Sequence, residues 1–191
     1  METSDEALCE RVAGRDEAAF DLLVERYQQR AFRIAWSILR DAEEARDVSQ
    51  EAFIRLYQTA GSFAGRARFS TWFYRILVNL SLDQRRKQRW WRQVFSREER
   101  ADDGEVSELD ALPALATDPV EALGQERALA QVWEAAAQLS PQQRAALMLQ
   151  VQDDLPMKEI AAVLGCSEAT ARVHLHRALT ALRRTLRKER T

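Results

Sequence analysis

The chain has 191 residues, with 28 Lys and Arg against 30 Asp and Glu and a formal net charge of −2. Its 46% hydrophobic and 30% charged residues are ordinary for a soluble globular protein, and its length allows one or two small domains. Six Gly and 4 Pro among many Ala, Leu, Arg, Glu and Gln predict an all-α fold, and no apolar run approaches the ~18 residues of a membrane span.

The acidic start METSDEALCER lacks a cationic stretch followed by an apolar core, so no secretion signal is expected and the protein is expected in the cytoplasm. Phe20, Leu23, Val24 and Tyr27 fall at i, i+3, i+4 and i+7, one apolar stripe of a helix that Ala31, Ile34, Ala35 and Ile38 continue. Asp41 is expected to cap a second helix, with Glu44 three residues on; that helix carries Ala45, Val48, Ala52, Phe53 and Leu56 inward. Gly61 and Gly65 bracket a loop around Phe63. Ser70 or Thr71 is expected to cap a third helix from Trp72 to about Arg89, with Trp72, Phe73, Ile76, Leu77 and Leu80 on its buried side.

From about Val94 to Val120 the amphipathic period fades, and Gly104, Pro113 and Pro119 suggest a flexible linker. A helix through Leu129, Val132, Trp133, Ala136 and Leu139 then ends at Ser140-Pro141. There Ser140 as N-cap, Pro141 at the first helical position and Gln143 at the third start another helix. After a turn at Asp153–Pro156, a short helix Met157–Leu164 stops at Gly165, and Ser167 caps the last helix. That final pair has the proportions of a helix-turn-helix.

Charge is segregated along this order. Arg85–Arg100 holds seven bases, and Arg172–Thr191 holds seven more. Between them, Ala101–Glu126 carries eight acids and no Lys or Arg. The patches cancel in the total, but each can bind a polyanion locally. At 100° per residue, Ala171, Leu175, Ala178 and Leu182 form the inward arc of the last helix. Ala169, Arg172, Val173, His176, Arg177, Thr180, Arg184 and Arg187 face outward. Arg172, His176 and Arg177 can reach base edges, Arg being suited to guanine, while Arg184 and Arg187 suit phosphates. His174 falls on the flank, as a surface or packing residue.

On the third helix, Thr71, Arg75 and Asn79 step by four and Arg86 follows two turns later, a polar face on which Asn can bond an unstacked base. Trp72 and Phe73 are expected in the core; Phe63 and Phe69 are the candidates for a base pocket. Trp90 and Trp91 either stack on a base or pack against the linker.

Catalytic furniture is missing from this sequence. There is no Gly-rich phosphate loop and no nucleophile near a base. The two histidines, at i and i+2, face apart on a helix, and Cys9 and Cys166 fit no metal-ligand spacing. No catalytic residue, cofactor or metal is expected, and the cysteines are expected reduced.

The stretches DVSQEAFIRLY (Asp47–Tyr57) and FAGRARFSTWFYRILVN (Phe63–Asn79), then RRKQR, resemble region 2 of bacterial extracytoplasmic-function (ECF) sigma factors, of the sigma-70 family. LSPQQRAALMLQ and MKEIAAVLGCSEATARVHLHRAL resemble their region 4. Ala171, Val173 and His174 depart from the residues common in the family.

The resemblance implies two small helical domains, region 2 over residues 1–93 and region 4 over 121–191, joined by a linker over 94–120. It implies that Asp47, Gln50, Glu51, Ile54 and Arg55 dock on core RNA polymerase at the clamp of the β′ subunit, with the flap of the β subunit a further contact. Phe63, Phe69, Arg75, Asn79 and Arg86 would melt and read the minus-10 element. Ala169, Arg172, Val173, His176, Arg177 and Arg184 would read the minus-35 element. It further implies an anti-sigma factor linked to the inner membrane. The competing reading, a dimeric helix-turn-helix regulator of operator DNA, leaves the Asp47–Tyr57 surface unused; a purely protein-binding adaptor leaves the last helix unexplained.

Overall fold

The computed structural model describes residues 3–95 and 138–188, which form seven α-helices and one short 3₁₀ turn, with no strand among them. The helices are α1 (Asp5–Ala13), α2 (Glu17–Leu39), α3 (Ala42–Thr59), α4 (Phe69–Phe95), α5 (Pro141–Asp153), α6 (Met157–Leu164) and α7 (Glu168–Lys188). The expected helix through Leu129 and Trp133, and nearly all of the expected linker, lie outside the described residues.

Helices α2, α3 and α4 pack on one another, with α1 laid across α2. Their shared core is aromatic. Phe69 and Phe73 stack in parallel with centroids 6.0 Å apart, and Tyr27 meets Phe69, Phe73 and Tyr74 edge-on at 5.2 to 5.9 Å. Each such pair adds about 0.5–1.5 kcal/mol beyond the area it buries. Helix α1 was not anticipated. Ser4 accepts the Ala7 N–H at 3.2 Å to start it, and Leu8, Cys9 and Val12 are fully buried on its inner face.

Several expected caps are present. Asp41 accepts the Glu44 N–H at 3.0 Å, and Ser140 and Gln143 form the reciprocal capping box at α5. The Glu44 carboxylate itself turns to the Gln88 amide of α4. The start of α4 differs from the expectation. It begins at Phe69, and the cap is Glu6 of α1, whose carboxylate accepts the Phe69 N–H at 3.0 Å across the fold. Ser70 and Thr71 lie inside the helix, so neither occupies the capping position.

The C-terminal end of α2 leaves four carbonyls beyond its own ladder. Arg40, in the left-handed region at φ 62°, returns its N–H to Trp36 O at 2.9 Å. Arg85 of α4 donates to Ile38 O at 2.8 Å and to Leu39 O at 3.4 Å. Arg144 of α5 donates to Ser37 O and, at 3.1 Å, to Ile38 O. Residues of α5 and α6 thus lie directly on α2 and α4. The sequence suggests a flexible linker between the two modules, yet in the structure they are packed together.

Candidate nucleic-acid interface

Helix α7 is set by the turn before it. Gly165 adopts φ 64° to end α6, where glycine has no Cβ to clash, and Cys166 N–H returns to Ala161 O at 3.0 Å. Ser167 accepts the Thr170 N–H at 3.1 Å and starts α7. Ala171 and Ala178 are buried, with Leu175 and Leu182 half-buried beside them. Ala169, Arg172, Val173, His176, Arg177, Thr180 and Arg184 are all exposed on the other side. The small residue near the helix start keeps the backbone open to close approach, and Arg172 is steadied by Glu168 one turn back at 3.4 Å. The side chain of Arg187 lies outside the described residues. His174 is half-buried, and its Nδ1 is buried with no hydrogen-bond partner among the described residues. Burial first, and the nearby Arg177 charge second, hold its pKa below the ordinary 6.5.

On α4, Arg75, Asn79 and Arg86 are exposed in one rising stripe, and Arg86 pairs with Asp83. Thr71 does not continue the stripe as an open position. It is 4% exposed beneath α6, and its hydroxyl donates to Glu159 Oε2 at 2.6 Å. Phe69 corrects the expectation of a surface base pocket, because its ring is fully buried. The reason is its register: it sits four residues before Phe73 on the inward side of α4, where the two rings stack. Phe63 is half-buried, wedged against Phe69 at 6.2 Å and Trp72 at 5.4 Å. Arg85 turns inward to the α2 carbonyls, so one base of the Arg85–Arg100 patch serves the fold. Trp90 and Trp91 are both exposed and meet edge-on at 4.9 Å.

Asp47, Gln50, Glu51, Ile54 and Arg55 share one face of α3. Four are exposed and Glu51 is half-buried, paired to Arg55 at 3.0 Å. Ile54 is 50% exposed, an apolar side chain among charges. This stripe borders an open groove whose far wall is Leu80, Asp83 and Lys87 of α4.

The fold and these faces define an all-α protein of two modules, the second a helix-turn-helix with a basic outward face. The family Sigma-70 region 2 matches residues 23–91, and the family Sigma-70, region 4 matches residues 129–182. RNA polymerase sigma-H factor of Pseudomonas aeruginosa is 35% identical over 95% of this chain and 93% of that protein. ECF RNA polymerase sigma-E factor of Escherichia coli is 33% identical over 94% and 92%, and ECF RNA polymerase sigma factor SigW of Bacillus subtilis is 29% identical over 98% and 99%. Among solved structures, CnrH in complex with the cytosolic domain of CnrY superposes with a TM-score of 0.65, at 21% identity over 97% of this chain and 99% of that one. The sigma factor RpoE in complex with the anti-sigma factor NepR, from Bartonella quintana, superposes at 0.63, with 22% identity over 87% and 94%. The chain belongs to the sigma-70 family and is a sigma factor of its ECF group.

Proposed function

We propose that this sigma factor binds core RNA polymerase through the α3 stripe, Asp47, Gln50, Glu51, Ile54 and Arg55, at the clamp of the β′ subunit. In that complex α4 and its preceding loop open and read the minus-10 element, and α7 reads the minus-35 element. The second module also meets the flap of the β subunit. The protein does no chemistry of its own: binding energy alone drives strand opening, with stacking and pocket contacts offsetting the few kcal/mol of unstacking. It works in the cytoplasm, and an anti-sigma factor at the inner membrane restrains it. Among the described residues no helix is long and apolar enough to cross a membrane.

The observation that carries this reading is the presence, in one chain, of two outward faces: the basic arc of α7 and the mixed polar stripe of α3. A dimeric operator-binding regulator would use the first and leave the second without a role. The two are separated by Asn79→Ala. The variant is expected to bind core polymerase as the parent does and to show weaker permanganate reactivity of thymines at the minus-10 element. Equal reactivity on every template would reject the strand-opening role of α4.

A further inference from the structure

Of the large apolar side chains that stand exposed among the described residues, Trp90, Trp91 and Val94 crowd the last turns of α4. A single exposed apolar residue is ordinary; a cluster with two indoles marks a contact surface. Its surroundings are basic. From Gln84 to Phe95 the sequence has no Asp or Glu, and Arg86, Lys87 and Arg89 are exposed on the same turns. Trp90 stands one turn past Arg86 and three turns past Asn79, so at about 3.6 residues per turn all three share one side of α4. It is 56% exposed. Trp91 meets it edge-on with centroids 4.9 Å apart, a geometry that takes at most one face of a ring, so Trp90 keeps a face for a ligand.

We propose that Trp90, with Arg89 beside it, is a further DNA contact of this sigma factor: the indole packs against the sugar-phosphate backbone of the duplex just upstream of the minus-10 element. The proposal rests on the functional reading above, which gives α4 the minus-10 element and α7 the minus-35 element. The bases around the indole call for a polyanion. Its place on the side of α4 that carries Arg75, Asn79 and Arg86 makes that polyanion the promoter. In that reading the strands open at the start of α4 and its preceding loop. The other end of α4 leads on to the second module, whose target lies upstream, so the DNA that passes Trp90 is still paired. Trp90 lies about 16 Å beyond Asn79 along the helix, and a duplex rises about 3.4 Å per base pair, so the contact falls about five base pairs upstream of the base at Asn79. Paired bases hide their faces. The ring therefore packs on sugar while Arg89 takes a phosphate, an anchor that fixes position without reading sequence.

The test titrates holoenzyme, reconstituted from the full chain and core polymerase, against two templates. Both carry a premelted minus-10 element and lack the minus-35 element; one extends as duplex past the proposed contact and the other ends short of it. On the long template Trp90→Ala is expected to lose affinity by about five- to tenfold at an unchanged salt slope, the lower part of what an aromatic contact to nucleic acid supplies. Arg89→Ala is expected to lower the salt slope by about one. Trp90→Phe, which keeps a ring, is expected to recover most of the loss. On the short template all three are expected to bind as the parent does. Trp90 stands at the surface, so its variants are expected to keep their helix content in circular dichroism; should Trp90→Ala lose it, Arg89→Ala decides. Parent-like binding of the deciding variant on the long template overturns the contact. So does a loss of equal size on both templates, which would put the side chain on polymerase. A parent holoenzyme that binds neither template rejects the functional reading, and the proposal with it.

Discussion

Replacing Glu6 by Ala removes a carboxylate that lies 63 residues before the backbone it caps. Its Oε1 holds the Phe69 N–H at 3.0 Å in a half-buried setting at the start of α4. A lost N-terminal cap costs about 0.5–2 kcal/mol, and a lost negative charge at a helix start about 0.3–1 kcal/mol. The two overlap, so the expected loss is about 1–2 kcal/mol. With a urea slope of about 2 kcal/mol per molar, the unfolding midpoint falls by about 0.5–1 M with an unchanged slope. Glu6→Gln keeps an acceptor oxygen and loses the charge, so it is expected to fall by about half as much. The first turn of α4 also frays, which loosens Thr71 and the approach to Arg75. Tryptophan fluorescence against urea reads the midpoint. A Glu6→Ala midpoint equal to that of the parent would refute the idea that α1 fixes the start of α4.

Reversing Asp47 and Glu51 to Lys is expected to weaken core polymerase binding at constant helix content; equal affinity in a direct titration would remove the α3 stripe from the docking surface. Arg172→Ala and Arg177→Ala should each cost about 1–3 kcal/mol, confined to one minus-35 base pair. Arg184→Ala should weaken all sequences alike and lower the salt slope by about one, read by titration at several salt concentrations. His174 has a depressed pKa, so its neutral form stabilises the fold above the ordinary 6.5, and that contribution is lost as pH falls through the folded value. Thermal unfolding compared at about pH 7.5 and about pH 5.5 should therefore show acid destabilisation that His174→Gln reduces. An undiminished pH dependence in the variant would assign it to other groups.

Much of the architecture was legible because local rules act within a few residues. Ser140, Gln143, Gly165 and Ser167 set helix ends through backbone groups next to them, and the inward and outward arcs of α7 follow from its period alone. What escaped the sequence depends on distant partners. Nothing near Phe69 announces that its N–H is capped from α1. Thr71 reads as an exposed polar residue because the carboxylate that buries it, Glu159, lies 88 positions away. Phe69 looked available as an aromatic beside a glycine loop; its spacing of four from Phe73 was the signal for the core. No local pattern around Arg144 marks it as an arginine that ends against the carbonyls of another module. The α3 stripe was found through resemblance, and the structure shows its five residues on one face of a single helix.

The most direct measurement is run-off transcription with purified core polymerase on a broad genomic promoter library. The account predicts discrete transcripts that require this protein, start downstream of paired minus-35 and minus-10 elements, and fade with Asn79→Ala and with the α3 charge reversal. With core shown active by another sigma factor, absence of any dependent transcript would contradict it.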